Sequence, residues 1–597
     1  MKNGMNKMEM GAVGMLVALL IAWTLYQNHE ARKQAAVQAS RPNVAQVSRP
    51  VSDNNNVAQA SRPVSTNAES AAVSIADDAP RPDEIRVELE NETLRLGLTS
   101  YGGVVTSATL LKYPERPGKD SPPVAFAYNE PVLAWSGLPG FKTDSAYALV
   151  ENTATSAVFS ASNPSGTLAV TRRYDLLPDH TVRVRDTFRN TGAEPLALPS
   201  QRASLGDITR GDSKNETLTA DVFAAGTNKV WHLEKDIATA LGATGGFMGC
   251  GGNSMALRER AVVRVNKPVE WVALKTRFFA HFVACDAANT GLDVAASAKT
   301  GGAAAAQRLS GGVGFAAATL APGAEITRAA TVYIGPKRLD TIKKLGTQSD
   351  QIMQFGFFAW FCKLLLPLLN FFYALIPNYG VAIILLTFLV RVVFWPLTHK
   401  TAESSRRMAA LQPKIKELQA KFKDNPQKLQ QATMALYREH KVNPFATCVP
   451  MFIQLPVFIA LFTVLRSAVE LRFAPFLWIA DLSEPENLFP GLLPITINPL
   501  PVVMAATMAL QSHLTPAMGD PAQKKMMLVM MPVMMLFICY TFPSALSLYW
   551  TVSQVIAIIQ LLHQQRRAAR ENAAQKPPDD PLDKPSTRQM RRRLGRA

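Results

Sequence analysis

Hydrophobic and polar positions follow different patterns in different parts of the chain. An apolar run over residues 10–26 gives way, up to about residue 82, to alanine, serine, proline and glutamine. Over residues 83–336 short segments alternate apolar and polar positions, as in Val182-Arg183-Val184-Arg185, and from Gln351 onward the apolar segments are long. Such changes of pattern predict several structural units rather than one core.

The amino-terminal apolar run follows Lys2 and Lys7 and is typical of a signal peptide or a first transmembrane helix. Because no small-x-small cleavage site follows it, we expect residues 1–28 to form an uncleaved transmembrane anchor. Residues 29–82 repeat the tripeptide Ser-Arg-Pro and cannot bury enough apolar surface to offset their ordering entropy. They are therefore expected to form a flexible linker.

The alternating segments of residues 83–336 are separated by glycine, proline and asparagine. Period-two alternation with frequent turn residues is typical of strands that bury one face. The pattern predicts a two-sheet antiparallel β-sandwich, and no segment of it is apolar enough to span a bilayer.

Long apolar segments dominate the rest of the chain. Residues 351–376 are predicted to form an amphipathic helix at the membrane interface; if they spanned instead, Pro367 and Pro377 would interrupt the helix. Five further segments are near the length that crosses the hydrocarbon core: 379–397, 447–465, 488–511, 526–540 and 545–562. The sequence thus predicts a multi-domain membrane protein, with an α-helical polytopic membrane core, six transmembrane helices in total, and an all-β periplasmic sandwich domain.

The distribution of charge sets the orientation of these segments. The 597 residues combine 48% hydrophobic residues with a formal net charge of +17. Residues 398–446 carry ten basic and four acidic side chains, residues 563–597 carry the same numbers, and residues 466–487 carry two basic and four acidic ones. Since short cytoplasmic loops collect lysine and arginine, we predict a multi-pass membrane protein with both termini in the cytoplasm and the sandwich exported to the other side.

The basic loop is predicted to contain a cytoplasmic helical hairpin over residues 399–443. Apolar residues recur there at spacings of three and four, the seam of a coiled-coil helix: Met408, Leu411, Ile415, Leu418 and Phe422. Asp424-Asn425-Pro426 breaks this helix, and Pro413 marks either a kink or the true start of the hairpin. The lysine-rich face would suit ribosomal RNA or anionic lipid, or would serve only as a solvated determinant of topology.

Arg391 is a charge within a predicted span, and such charges are costly unless they face water or a partner. One interpretation is that its long side chain snorkels to the cytoplasmic interface. The other is a hydrated groove, because the remaining spans contain Gln454, Ser553 and Gln554 but no aspartate or glutamate. The absence of membrane acids argues against a proton relay or an ion-coupled transporter.

The chain has no phosphate-binding loop, no zinc-protease motif and no nucleophile elbow, so we expect no enzyme activity, no cofactor and no catalytic metal. The five cysteines have no metal-ligand spacing. Cys250 and Cys285 lie in the predicted exported half, where a disulfide and two free thiols remain equal alternatives.

Several segments between residues 378 and 565 together resemble the YidC insertases. They are Leu386-Thr387-Phe388-Leu389-Val390-Arg391, Met408-Ala409-Ala410-Leu411-Gln412-Pro413-Lys414-Ile415, Val442-Asn443-Pro444, Ile453-Gln454-Leu455-Pro456-Val457-Phe458 and Phe542-Pro543-Ser544-Ala545-Leu546. They occur in the family's order, and the exported domain fits the form of the family in Gram-negative bacteria.

The resemblance implies a five-helix core over residues 377–565, with a hydrophilic groove open to the cytoplasm and a hydrophobic slide, and a basic cytoplasmic tail over residues 566–597. It implies that Arg391 is the groove arginine and that five residues contact the substrate: Thr387, Leu455, Pro456, Tyr549 and Trp550. Trp550 stands where a second tyrosine is common. The implied partners are nascent membrane proteins, the Sec translocon, the ribosome and membrane lipids. A small-solute channel and a membrane-anchored periplasmic carbohydrate enzyme are the rival interpretations.

Overall fold

The computed structural model describes residues 83–118, 120–211, 216–242, 258–285, 289–298, 306–396, 407–408, 410–422, 425–440, 449–488, 496–515 and 526–574. The predicted anchor, the linker, Cys250 and most of the basic tail lie outside these ranges. The chain divides into two compact units, the first essentially up to Phe355 and the second from Gly356 onward. Each unit is described separately.

The first unit is built from antiparallel strands in two large sheets and one small one. The eight-stranded sheet has the order β1-β2-β3-β4-β10-β17-β16-β13, the nine-stranded sheet has the order β12-β11-β14-β15-β19-β8-β7-β6-β5, and β18 pairs with β9. The strands are β1 (Arg86–Glu90), β2 (Leu94–Thr99), β3 (Val104–Pro114), β4 (Pro123–Ser136), β5 (Ala148–Asn152), β6 (Ser156–Ser162), β7 (Leu168–Leu176), β8 (Thr181–Asn190), β9 (Leu196–Leu198), β10 (Gln201–Thr209), β11 (Thr219–Ala224), β12 (Val230–His232), β13 (Arg260–Val265), β14 (Val269–Lys275), β15 (Phe279–Cys285), β16 (Gly291–Ala298), β17 (Ala306–Phe315), β18 (Ala318–Leu320) and β19 (Glu325–Pro336).

The alternation of the sequence explains how the two large sheets pack. In β8, every second residue from Val182 is buried, whereas Arg183, Arg185 and Arg189 are exposed. The inward side chains of both sheets form one continuous hydrophobic core. Only two short α-helices are described in this unit, α1 (Glu234–Ala240) and α2 (Leu339–Ile342). The predicted sandwich is therefore confirmed in its architecture.

An ion pair is buried inside this apolar core. Arg172 on β7 lies directly opposite Asp186 on β8, and its Nε atom lies 2.5 Å from Asp186 Oδ1. The guanidinium also donates to the backbone carbonyls of Gly103 and Leu133, while the indole nitrogen of Trp135 donates to Asp186 Oδ2 at 2.7 Å. The pair is stabilised because each charged group has several hydrogen-bond partners that offset its desolvation.

The sandwich unit continues beyond its last strand. A segment from α2 to a 3₁₀ helix (Ser349–Met353) packs on the nine-stranded sheet, with Ile352 fully buried. The Trp271 indole donates to the Thr347 carbonyl at 2.9 Å, and the buried Lys275 ammonium, paired with Asp221, donates to the Ile352 carbonyl at 2.8 Å. The folded unit thus extends past the predicted boundary at residue 336 because buried polar groups of the sheet bind this segment.

Two buried histidines lie among aromatic rings between the sheets. His281 contacts Phe126 and Tyr128, with the Tyr128 hydroxyl 3.4 Å from His281 Nδ1, and His180 contacts Tyr113 and Tyr333. Neither Nε2 atom has a hydrogen-bond partner among the described residues. Burial lowers the pKa of His281 to about 3 and that of His180 to about 4, so both rings are neutral in the folded protein.

We expect the sandwich to lose stability as the pH falls from 6.5 toward 4. An unfolded histidine has a pKa near 6.5, so in this interval the unfolded chain binds protons that the folded one does not. The free energy of unfolding should fall by at most about 1.4 kcal/mol per pH unit for each histidine. Urea denaturation at a series of pH values measures the slope. His281→Gln should reduce it, and an unchanged slope in that variant would show that His281 does not titrate on unfolding.

The second unit is helical. Its α-helices are α3 (Ala359–Leu375), α4 (Tyr379–Val393), α5 (Gln412–Lys421), α6 (Pro426–Glu439), α7 (Val449–Ser467), α8 (Pro499–Leu514), α9 (Met531–Cys539) and α10 (Ser544–Ala574). A π-helical turn (Met526–Met530) precedes α9. Helix α10 packs against α4 and α8, and α3 packs against α4.

The helix bounds differ from the predicted spans in three places. Pro367 does not interrupt α3, which runs through it, because burial of Cys362, Leu365 and Leu369 outweighs the loss of one backbone hydrogen bond. Helix α8 begins only at Pro499, since Leu488 pairs with Ile497 in an isolated bridge. Helix α10 continues to Ala574, beyond the predicted span.

Two helical segments among the described residues are long and apolar enough to cross a membrane, Gly356–Leu375 and Ser544–Arg567. Three apolar helices are shorter: Tyr379–Val393, Leu455–Ser467 and Leu528–Cys539. The total of six spans, and the interfacial placement of residues 351–376, remain predictions.

Helices α5 and α6 pack against each other as a hairpin. Met408 and Leu411 are buried there, with Ile415, Leu436 and Tyr437 packed against them. Pro413 lies in the first turn of α5, a position that needs no backbone N–H donor, so it marks the start of the helix rather than a kink.

The loop between α7 and α8 binds the first turns of two helices. Glu486 is buried and accepts from the Leu500 N–H at the start of α8, at 2.8 Å. The carbonyls of Leu482 and Glu484 accept from backbone N–H groups at the start of α10, each at 2.9 Å. These contacts satisfy N–H groups that a helix cannot pair internally. Residues 470–488, which we call the clamp loop, therefore join helices α8 and α10.

Helix α4 also contacts the clamp loop at its first turn. The ring of Phe476 lies against Gly380 and leaves no room for a Cβ atom. The Asn378 side chain caps the same turn by accepting from the Val381 N–H at 3.1 Å. The first turns of α4, α8 and α10 are thus all contacted by a single loop.

Candidate functional site

Arg391 lies in the last turn of α4, at the end opposite to the clamp loop. Its Nε atom donates to Ser553 Oγ on α10 at 2.9 Å, and its Nη2 atom donates to the same oxygen. Ser553 is only 2% exposed. The guanidinium therefore bonds to a neighbouring helix, an interaction that simple snorkelling to the interface does not explain.

Helix α10 carries a row of buried polar side chains on the stretch that includes Ser553. The row follows helical spacing and comprises Ser544, Ser547, Thr551 and Gln554. Thr551 donates to the Ser547 carbonyl at 2.8 Å, but Ser547 Oγ and Gln554 Oε1 have no hydrogen-bond partner among the described residues. Buried polar atoms of this kind need a polar partner or water. The spacing of 3, 4 and 3 residues would have identified Ser547 and Thr551 from the sequence.

Tyr549 and Trp550, two adjacent aromatic residues on α10, lie in different environments. Tyr549 is buried, one turn before Ser553 on the same face, and lies within electrostatic range of Arg391. Trp550 is half-buried and contacts Phe458 of α7 edge-to-face, with ring centroids 4.8 Å apart. Phe462 of α7 contacts Phe542, which precedes α10, with the rings tilted and their centroids 5.4 Å apart. The structure thus brings Tyr549 to the polar residues and Trp550 to an aromatic surface.

The other predicted contact residues lie on α4 and α7. Thr387 is buried one turn before Arg391, where its hydroxyl donates to the Ile383 carbonyl at 2.6 Å. Leu455 is 51% exposed and Pro456 is half-buried. The side chain of Gln454 lies outside the described part of the structure. Arg391, Ser553 and Tyr549 therefore come together, whereas Leu455 and Pro456 belong to the surface of α7.

The chemistry available at this site is binding rather than catalysis. It offers one cation, several hydroxyls and an amide beside a surface of apolar and aromatic side chains. Among the described residues, no group of three or more histidine, cysteine or acidic side chains is placed to hold a metal ion. Such an arrangement can attract acidic groups and hydrate a short polar segment.

Two family profiles match consecutive parts of the chain. The family described as the YidC periplasmic domain matches residues 86–368, and the family described as the 60Kd inner membrane protein matches residues 371–571. The first coincides with the sandwich and the second with the helical unit.

Curated relatives agree with these matches. A membrane protein insertase YidC from Pelobacter propionicus is 32% identical over 505 residues, which cover 79% of this chain and 86% of the relative. Its counterpart from Citrifermentans bemidjiense is 42% identical over 252 residues, 42% of this chain and 45% of that protein. A crystal structure of an active YidC insertase, 17% identical, aligns over 81% of this chain and 93% of its own with a TM-score of 0.32.

Proposed function

The chain belongs to the YidC family of membrane protein insertases, and from this premise we propose that it inserts nascent membrane proteins by way of a hydrophilic groove beside Arg391. The family is found in the inner membrane and has a periplasmic domain. Its function is insertion, and the chain is not an enzyme. The observation that carries the groove is the bond between Arg391 and Ser553, which joins polar groups of two otherwise apolar helices.

Hydration of the groove follows from the groups that line it. Gln554 Oε1 and Ser547 Oγ are buried without a protein partner among the described residues, and an unpaired buried polar group costs about 1–3 kcal/mol. Water in the groove would remove that cost. A polar segment of a substrate entering this water would have a shorter hydrocarbon path to cross, and Arg391 would attract its acidic groups.

The apolar segment of the substrate would move along the surface of α7 and α10 into lipid. Leu455 and Pro456 supply the α7 side of this slide, and Trp550 supplies an aromatic on α10. Binding need only be weak, because transfer of apolar area out of water contributes about 25 cal/mol per Å². Thr387 and Tyr549, which are buried, would contact the polar part of the substrate.

The orientation and the partners complete the proposal. We propose six transmembrane helices, with the N-terminus and the C-terminus in the cytoplasm, on the basis of the charge of the loops. The α5–α6 hairpin exposes Lys414, Lys416 and Lys428, which suits contact with the ribosome or with anionic lipid. Cooperation with the Sec translocon is proposed from the family resemblance.

Site-specific photo-crosslinking to a ribosome-bound nascent chain with one transmembrane segment tests the proposal. We expect strong adducts from probes at Leu455 and Tyr549. Val502 on α8 is the matched control, because it is 51% exposed like Leu455 but lies on another helix. Adducts at Leu455 and Tyr549 no stronger than those at Val502, across several substrates, would remove the groove and slide.

A further inference from the structure

A row of exposed arginines crosses the outer face of the nine-stranded sheet. Arg183, Arg185 and Arg189 occupy outward positions of β8, about 6.6 Å and 13 Å apart along the strand. Strand β8 is hydrogen-bonded to β7 on one side and β19 on the other. The arginine row therefore lies in the middle of the sheet, where no strand edge is free to pair with an extended peptide.

The arginine row has no ion-pair partner within 4.0 Å in the described part of the chain. One nearby acid is engaged elsewhere: the Oδ1 atom of Asp175, opposite Arg183, lies 2.9 Å from the Nε atom of Arg173 and also accepts from the Ser156 hydroxyl. Glu325, opposite Arg189, is the acid at the other end of the row. Arg202 and Arg308, on the other sheet, are by contrast ion-paired.

The fold itself does not account for this charge. Arg185 lies directly opposite Arg173 in the β7–β8 register, and like charges at opposite positions destabilise a sheet. On its other side it faces Ala329 of β19. A threonine or glutamine would satisfy the same outward position without repulsion. Arg185 is thus a local cost to stability that a bound anion would offset, whereas Arg183 and Arg189 stand opposite acidic residues.

The surface around the row is polar. Beside Arg173, Asp175 and Glu325, its outward neighbours on β7, β8 and β19 are small: Ala169, Thr171, Thr187, Thr327, Ala329 and Thr331. Guanidinium groups spaced along one exposed strand, largely among small side chains, fit an array of anions better than a single inserted group. Guanidinium also matches phosphate oxygens with two parallel hydrogen bonds.

We propose that the arginine row binds the anionic phospholipid headgroups of the periplasmic leaflet. The chain leads from this domain into the apolar helix α3 at Ala359, so the domain is tethered to the bilayer and meets its headgroups at high effective concentration. Each arginine near an anionic surface contributes about 1 kcal/mol of attraction, which raises the fraction of time that the arginine is bound about fivefold. This inference does not depend on the proposed groove.

Arginine modification by phenylglyoxal tests the inference on the full-length protein. The protein is reconstituted in nanodiscs of phosphatidylcholine alone or mixed with phosphatidylglycerol, and modification is measured residue by residue by mass spectrometry. We expect about fivefold slower modification of Arg183, Arg185 and Arg189 in the anionic discs, reversed by high salt. Arg260 and Arg264 are the internal controls, since they are exposed on β13 of the other sheet and should react equally in both discs.

A matched pair of triple variants distinguishes the effect of the arginine row from the effect of the domain's overall charge. Anionic discs should raise the thermal unfolding temperature of the sandwich in the unchanged protein. This rise should be absent in R183Q/R185Q/R189Q. It should persist in R86Q/R95Q/R338Q, which removes three exposed arginines that already have acidic partners.

Three results would overturn the inference. They are equal modification of the row in both kinds of disc, equal protection of Arg260 and Arg264, and protection that appears only when an acidic peptide is added. The last result would assign the row to acidic polypeptide segments instead of lipid.

Discussion

Arg391→Ala is expected to reduce insertion of a single-span client with an acidic translocated tail by about tenfold. That factor corresponds to about 1.4 kcal/mol, the low end of the range for a hydrogen bond to a charged group. The reason is that Arg391 is the charge that joins α4 to the polar row of α10 through Ser553. Insertion into proteoliposomes, scored by protection of the translocated tail from protease, measures the effect.

Two comparisons show whether the charge itself matters. Arg391→Lys keeps a cation and should retain most activity, and a client whose tail acids are changed to glutamine and asparagine should depend little on Arg391. Ser553→Ala removes the interhelical hydrogen bond but keeps the cation, so its effect should be smaller. Equal loss for acidic and neutral tails would mean that Arg391 supports the helix packing and does not attract the client.

Asp186→Ala is expected to destabilise the sandwich by about 3–5 kcal/mol, because it leaves the guanidinium of Arg172 buried without a counter-charge. It also removes the acceptor of the Trp135 indole. Pulse proteolysis of the full-length protein in urea, followed by fragments of the sandwich, measures the change in the free energy of unfolding.

The control is on the same pair of strands. Asp175→Ala breaks the half-exposed pair with Arg173 and should cost less than about 1 kcal/mol. The double variant R172M/D186L should recover much of the loss, since apolar residues of similar volume often replace a buried ion pair without penalty. A loss of similar size for Asp175→Ala and Asp186→Ala would contradict the assigned role of burial.

The sandwich could be predicted from the sequence because the period-two alternation of strands such as β8 reports burial directly. The same alternation contained a further signal, since Arg172 and Asp186 stand at inward positions of consecutive strands and so predict a buried pair. The extension of the unit to Phe355 was not predictable. It depends on Lys275 and Trp271, whose buried polar atoms bind backbone carbonyls distant in sequence.

The membrane half was predictable by hydrophobicity and by resemblance, and membership of the YidC family is confirmed. Hydrophobicity alone placed the start of α8 too early, at residue 488, because it does not show that Leu488 pairs with Ile497 in an isolated bridge and that the helix begins only at Pro499. The contact between Arg391 and Ser553 joins residues distant in sequence, so only their polarity within apolar spans pointed to it. Their roles in insertion, and those of Gln454 and Gln554, stay predictions.

The clamp loop also affects how the membrane potential acts on a client. In the proposed orientation, the water of the proposed groove would enter from the cytoplasmic side and end where Glu486, Leu482 and Phe476 hold the helix starts together. The voltage would then fall mainly across this end instead of the whole bilayer. An acidic tail gains the same work, about 2.3 kcal/mol per charge for each 100 mV, over a shorter distance. A groove closed at this end would let the protein remain open to clients without dissipating the proton gradient.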